Sequence, residues 1–273
     1  MSPRDAARDA DRAEAADPRY HVDAAARTMQ LLTAVAELAP VTVTQLTKSL
    51  GWTKPMVYRL LRTLHACGAL RLTDDGYSLG PQMIFLGQAA LKGLRLTEVA
   101  RPRLARLHAA VGETVVLTIL DRVDVVYVDF IETEHLIVAR PRLGARLWAG
   151  NTASGHALLS THSEEEVRAL FRDADFSDEL PHAVHSVDDL VGRVAQVRER
   201  GYSLVDEEVA LGHRAAAAPV LDHNGRATGA LSISVPASRV SMPRLRRMAE
   251  EHLVPEAAAI SAALGGLAAA RPR

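Results

Sequence analysis

Basic side chains accumulate in one stretch of the sequence that contains no acidic residue. Asp and Glu are absent from residues 38–73, where the Lys and Arg residues are Lys48, Lys54, Arg59, Arg62 and Arg71. Such a local positive charge attracts the phosphates of nucleic acid. The whole 273-residue chain has a formal net charge of only −1, so we expect a local nucleic-acid-binding surface rather than attraction of the entire molecule.

Three short helices are expected to position these basic residues. Apolar residues at helical spacing predict a first helix over residues 24–38, capped by Asp23. A second helix is expected to be opened by Thr44 and closed at Gly51, and a third to begin after the N-cap Thr53. This order of helix, helix, turn and helix is typical of a helix-turn-helix DNA-binding unit.

On the third helix, Tyr58 and the basic residues fall outside the apolar stripe and therefore face solvent. The second helix of a helix-turn-helix pair presents such a face to the major groove. Lys54 and Arg59 are placed for base edges or adjacent phosphates, and Arg62 and Arg71 for phosphates. The alternative is a small helical unit whose basic face is merely solvated.

Paired strand-like runs occur three times. The first pair flanks Asp75-Gly76, and the runs of the other pairs cover residues 113–120, 125–131, 215–221 and 227–235. Helix starts at Ser163 and Ser186 lie between the later pairs. The second half therefore predicts an antiparallel sheet with helices packed on it, and the chain as a whole an α+β fold.

Several protein classes lack support in the sequence. The single Cys67 excludes an intramolecular disulfide framework, and no apolar segment resembles a secretory signal or a membrane span. We therefore expect a cytoplasmic protein with no membrane association. Residues 150–155 lack the spacing of a nucleophile elbow, and His156, His162, His182 and His185 are interpreted as solvated loop histidines. No catalytic residue, metal or cofactor is predicted.

Longer motifs resemble the isocitrate lyase regulator (IclR) family of bacterial transcription factors. Residues 52–64 and 75–80 resemble that family's winged helix-turn-helix. The later motifs follow in the family's order at residues 142–144, 152–159, 198–202, 206–208, 211–214 and 231–234. The resemblance implies a homodimer or homotetramer that reads a pseudo-palindromic double-stranded DNA operator, and a C-terminal domain of GAF-like fold that senses a small molecule.

The expected domain boundaries combine this resemblance with the sequence pattern. Residues 1–20 are expected to form a disordered tail and residues 21–80 the winged helix-turn-helix domain. A helical linker would cover residues 81–96, and an effector-binding and oligomerisation domain would cover residues 97–273. Apolar residues of the linker, among them Ile84, Leu86 and Leu91, are available for burial.

The recognition helix departs from the family pattern where small hydroxyl residues often follow the Lys. This chain has Pro55 and Met56 there, and Met56 is expected to contact a thymine methyl group, so the operator should differ from those of better-known members. The full set of predicted DNA-binding residues is Thr44, Gln45, Thr53, Lys54, Met56, Tyr58, Arg59, Arg62 and Arg71.

A short helix after Thr152 is expected to form part of an effector site. Its first backbone N–H groups would make an anion-friendly cradle at Ala153, Ser154 and Gly155. The family resemblance adds further pocket residues, namely Val205, His213, Ala215, Ser232 and Ser234. We hypothesise that His213 hydrogen-bonds an organic or aromatic acid, the alternative being that His213 points to solvent and the two serines satisfy neighbouring backbone.

These features together predict a ligand-responsive DNA-binding regulator of a catabolic or metabolic operon. Repression is the commoner outcome in the family that the chain resembles. The alternatives are an activator of the same class and a small-molecule sensor that acts through protein partners.

Overall fold

The computed structural model describes residues 22–92, 95–134, 142–177, 180 and 182–266. The chain divides into two compact units, one up to Ala90 and the other from Leu91. The predicted tail at residues 1–20 lies outside the described residues. The boundaries expected at residues 20, 80 and 96 remain predictions.

The N-terminal unit contains three helices and a two-stranded hairpin. The helices are α1 (Asp23–Leu38), α2 (Val43–Leu50) and α3 (Lys54–Ala66), and the strands are β1 (Leu70–Thr73) and β2 (Gly76–Leu79). Leu31, Val35, Leu46, Val57 and Leu61 are fully buried between the helices. The unit therefore has its own apolar core, and the predicted helix-turn-helix with a hairpin wing is confirmed.

Two helix starts in this unit differ from the prediction. Asp23 is the first residue of α1, whereas Val22 occupies the N-cap position without a side-chain bond. Thr42 rather than Thr44 caps α2, because the Gln45 amide N–H donates to the Thr42 hydroxyl and the Thr42 N–H donates to the Gln45 side-chain oxygen. This capping box satisfies two otherwise free backbone groups and fixes the helix start two residues earlier.

Two helices follow the hairpin, α4 (Pro81–Lys92) and α5 (Arg95–Val111). Helix α5 begins at Arg95, close to the predicted end of the helical linker at residue 96. The expected burial of Ile84 and Leu86 is wrong for the single chain, where their exposed fractions are 65% and 49%. The side chain of Leu91 lies outside the described residues.

The C-terminal unit is built on a six-stranded antiparallel sheet with the order β5-β4-β3-β8-β7-β6. The strands are β3 (Thr114–Asp121), β4 (Asp124–Ile131), β5 (Arg146–Trp148), β6 (Ser203–Asp206), β7 (His213–Leu221) and β8 (Ala227–Pro236). Helices α6 (Ala153–Leu159), α7 (Glu164–Leu170), α8 (Val187–Arg200), α9 (Met242–Met248) and α10 (Val254–Ala263) complete the unit. The prediction of an α+β fold is confirmed.

Each face of the sheet has its own hydrophobic core. On one face, α5 and the C-terminal helices cover residues such as Leu117, Leu231 and Ile233. On the other face, α6 and its neighbouring helices cover the alternate residues, among them Val205 and Ala217. None of the described helices combines the length and apolarity required to span a membrane.

Candidate DNA-binding and effector-binding sites

Helix α3 separates an apolar face from a polar one. Val57, Leu61 and Leu64 are buried against the other helices of the unit. The remaining face exposes Lys54, Tyr58, Arg59 and Arg62 to solvent. Because these side chains occur at helical spacing, the arrangement presents three cations and one phenol on a surface suited to the major groove.

The positive charge of this surface is not neutralised within the described part of the N-terminal unit. The ion pair found there joins Arg27 to Asp23 on α1. No carboxylate of the described residues pairs with the exposed basic side chains Lys48, Lys54, Arg59, Arg62 and Arg71. Arg71 extends from β1 of the hairpin wing, where it is exposed opposite Ser78. These cations are therefore available for phosphates.

The start of α3 has an unusual cap. Thr53 occupies the N-cap position, but its side chain makes no capping hydrogen bond, contrary to the prediction. Pro55 has no N–H to donate, and the Met56 N–H donates to the Thr53 carbonyl oxygen instead. The exposed Thr53 hydroxyl is thus left out of the helix cap. Thr44 and Gln45 on α2 are also exposed, although the Gln45 side-chain oxygen is engaged by Thr42.

The predicted effector residues on the strands lie on one face of the sheet. Val205 on β6 pairs with Ala215 on β7, and Ala215 pairs in turn with Ser234 on β8. Ser232 and His213 are each two residues from a member of this row, so they share its face. Helix α6, which contains Ala153, Ser154 and Gly155, packs on the same face against β7 and β8.

The start of α6 leaves less room for an anion than the sequence predicted. The Gly155 N–H donates to the Thr152 hydroxyl at 3.0 Å, and the His156 N–H donates to the Thr152 carbonyl oxygen at 3.0 Å. Helix geometry then leaves only the N–H groups of Ala153 and Ser154 for a ligand. A Cβ at Gly155 would lie 2.5 Å from the Cα of Ala149, so Gly155 serves close backbone packing.

His213 presents an unsatisfied polar atom on this face. Its Nε2 lies 2.8 Å from the Ser234 hydroxyl oxygen. Its Nδ1 is buried and has no hydrogen-bond partner among the described residues. Burial lowers the pKa of His213, which favours the neutral ring. The interpretation that His213 points to solvent therefore fails for the ring nitrogens, whereas the Ser232 hydroxyl does contact backbone, 3.4 Å from the Val116 oxygen.

Two buried ionisable groups near this face were not predicted. His156 is 1% exposed, so its interpretation as a solvated loop histidine is wrong. Its Nε2 lies 2.6 Å from the Gly150 oxygen, and desolvation lowers its pKa to about 4. Glu208 is 2% exposed, and one of its oxygens lies 3.2 Å from an Arg193 nitrogen while the other has no partner among the described residues. Desolvation raises the pKa of Glu208 to about 7, against the opposing effect of Arg193.

Trp148 and Cys67 have no feature that indicates a reactive site. Trp148 packs edge-on against Phe171 and Phe176, with ring centroids 6.0 Å and 5.2 Å away. Cys67 is exposed beside the end of α3. Within the described ranges, no three His, Cys, Asp or Glu side chains come together as metal ligands.

A winged helix-turn-helix with an unneutralised basic face, joined to a second α+β domain, defines the class of DNA-binding transcriptional regulators. A family model described as the IclR helix-turn-helix domain matches residues 24–74. A second model, described as the bacterial transcriptional regulator IclR C-terminal domain, matches residues 88–262. The chain belongs to the IclR family of transcriptional regulators, which are not enzymes.

Individual proteins resemble the chain over nearly its whole length. The HTH-type transcriptional regulator XynR of Escherichia coli is 32% identical over 88% of this chain and 96% of its own length. The transcriptional repressor IclR of the same organism is 31% identical over 90% of this chain and 91% of its own length. The fold also matches an IclR homologue from Microbacterium hydrocarbonoxydans complexed with 4-hydroxybenzoate, at a TM-score of 0.73 and 21% identity, covering 87% of this chain and 97% of the homologue.

Proposed function

We propose that this regulator represses a catabolic or metabolic operon and responds to a small organic acid. Its DNA-binding role rests on membership of the family and on the basic face of α3, which no carboxylate of the described residues neutralises. Repression is supported by the similarity to the E. coli repressor, whose name states that activity. Activation, or action through a protein partner, is the alternative. A regulator of this kind would act in the cytoplasm.

The proposed DNA contacts divide into two groups by the part of the DNA that they meet. Lys54, Met56 and Arg59 occupy the first half of α3 and contact base edges or adjacent phosphates, with Met56 directed at a thymine methyl group. The other candidates bind or approach the backbone, and they are Thr44, Gln45, Thr53, Tyr58, Arg62 and Arg71. A selection from random duplexes should return a pseudo-palindrome whose half-site core differs from the operators of better-known family members.

Transcription in vitro separates repression from the alternatives. The template would carry the DNA upstream of the protein's own gene and the selected operator. We expect the full-length protein to reduce transcript yield in proportion to operator occupancy. Increased yield would identify an activator, and unchanged yield without operator binding would favour action through a protein partner.

The acid proposal rests on the buried Nδ1 of His213, which has no hydrogen-bond partner in the part of the chain that the structure describes. When the Ser234 hydroxyl donates to Nε2, the neutral ring holds its proton on Nδ1, and a carboxylate can accept that hydrogen bond. Val205 and Ala215 leave apolar side chains in the same row of the sheet, which favours an aromatic or larger acid over the smallest keto acids. The 4-hydroxybenzoate in the Microbacterium homologue is one such acid.

Calorimetry with a panel of acids tests this assignment. The panel would include 4-hydroxybenzoate, other aromatic acids and the smallest keto acids. We expect an aromatic or larger acid to bind, and His213→Leu to weaken its binding at least about tenfold through loss of a charge-assisted hydrogen bond. His223→Leu, at an exposed histidine, is the matched control. Unchanged affinity of His213→Leu for the acid would refute the proposed hydrogen bond between His213 and the acid.

A homodimer or homotetramer is proposed from the exposed apolar surface of α4. Ile84, Phe85 and Leu86 are 65%, 64% and 49% exposed in the single chain. Three consecutive large apolar side chains in water favour association, and a second copy of the chain offers a symmetric partner that matches a pseudo-palindromic operator.

A further inference from the structure

A residue outside the helix-turn-helix pair reaches the start of the recognition helix. Arg27 lies on α1, and its Nη1 is 3.6 Å from the Met56 sulfur on α3. Met56 is the third residue of α3, within the part of a recognition helix that faces base edges. The Arg27 guanidinium is therefore placed at the edge of the surface that approaches DNA.

The present partners of Arg27 hold it weakly. Its Nη2 lies 3.7 Å from an Asp23 oxygen, and the two side chains are 46% and 73% exposed. Exposed ion pairs of this kind between neighbouring helical turns contribute less than about 1 kcal/mol to stability. A thioether sulfur is also a weak acceptor. A phosphate oxygen would be a stronger partner for the same guanidinium.

We propose that Arg27 is a further DNA-contacting residue, which binds a backbone phosphate at the flank of the half-site. Its contact with the Met56 sulfur positions the guanidinium for this role. The contact between Arg27 and the Met56 sulfur also restricts the otherwise flexible Met56 side chain. Asp23 is the carboxylate that Arg27 leaves when the phosphate arrives.

The experiment measures DNA affinity of the full-length protein by fluorescence anisotropy between 50 and about 200 mM salt. It uses the selected operator and a scrambled duplex of the same length. The variants are Arg27→Gln, which removes the charge and retains a polar side chain, and Arg27→Lys, which retains the charge. Arg172→Ala, at an exposed arginine of the C-terminal unit, is the control for a general loss of positive charge.

We expect Arg27→Gln to weaken binding of both duplexes by a similar factor, about 5- to 20-fold for a dimer. It should also reduce the slope of log affinity against log salt by about 0.9 per lost phosphate contact. Arg27→Lys should keep most of the slope, and Arg172→Ala should match the wild type. The thermal midpoint of Arg27→Gln should stay within about 2 °C of the wild type.

Three results would overturn the proposal. An unchanged salt slope in Arg27→Gln would exclude a phosphate contact. If Arg27→Gln weakened binding of the operator but left binding of the scrambled duplex unchanged, Arg27 would contact a base rather than the backbone. A large fall in the thermal midpoint of both Arg27→Gln and Arg27→Lys would show that Arg27 stabilises the N-terminal unit instead.

Discussion

Burial decides the protonation of individual residues in the C-terminal unit. His156 and Glu208 are both nearly inaccessible, and in each case desolvation disfavours the charged form. His156 is therefore neutral at pH 7, with its ring nitrogens bonded to Gly150 and Ser203. Glu208 titrates close to neutrality, although Arg193 lies 3.2 Å from one of its oxygens. Neither property can be read from the residue types alone.

The raised pKa of Glu208 predicts a specific pH dependence of stability. Its folded-state pKa of about 7 exceeds the ordinary glutamate value of 4.5, so between these pH values the folded state binds more protons than the unfolded state. The free energy of unfolding then falls as the pH rises through this window, by at most about 3 kcal/mol. Relative to the wild type, Glu208→Gln should therefore become progressively more stable between pH 5 and pH 8.

Denaturant unfolding of both proteins across this pH range provides the measurement. The opposite contribution of His156, which destabilises the fold as the pH falls from 6.5 towards about 4, is present in both and cancels in the difference. Glu199→Gln, at an exposed position of α8, is the control and should show a constant difference. A constant difference for Glu208→Gln as well would contradict the raised pKa.

At the scale of elements, features that depend on neighbouring residues in the sequence could be predicted. Features that depend on packing between distant segments could not. The apolar stripe predicts α3 correctly, because its pattern is periodic. The capping box of α2 is readable in the sequence as Thr-x-x-Gln from Thr42, whereas the prediction has Thr44 open this helix. The burial of His156 depends on α6 packing between the sheet and other helices, and no local pattern reports that contact.

The sheet face that carries the proposed effector residues shows the same division. Ala153, Val205, His213 and Ser234 lie on one side of the sheet, an arrangement that strand alternation and motif order indicate, and their role in effector binding stays a prediction. The Thr152 cap that occupies the Gly155 N–H, however, depends on the turn geometry at the start of α6. The predicted anion cradle therefore includes one N–H group, that of Gly155, which the Thr152 hydroxyl already occupies.

Helix α6 depends on the absence of a side chain at Gly155. A Cβ there would overlap the backbone of Ala149, which cannot move without displacing the preceding turn. Gly155→Ala should lower the stability of the protein by about 3 kcal/mol through overpacking. Gly192→Ala is the matched control, because Gly192 lies in α8 with open space around it and Ala should stabilise that helix by about 0.5–1 kcal/mol. Calorimetry showing equal midpoints for the two variants would refute the packing role of Gly155.

At the scale of the whole molecule, the exposed surface of α4 predicts association. Phe85→Glu places a charge among Ile84 and Leu86 and should shift the protein to a lower oligomeric mass at micromolar concentration. Light scattering after size exclusion measures this mass directly. Leu72→Glu, at a 53% exposed position of the hairpin wing, should leave the mass unchanged. An unchanged mass in Phe85→Glu would place the contact between subunits elsewhere.

The basic face of α3 is expected to bind the operator. The most direct test is the affinity of wild type, Arg59→Ala and Arg172→Ala for the selected operator across 50 to about 200 mM salt. We expect steep weakening of wild-type binding with salt, at least about tenfold weaker binding for Arg59→Ala, and wild-type behaviour for Arg172→Ala. Equal operator affinity of Arg59→Ala and the wild type over the whole salt range would contradict this expectation.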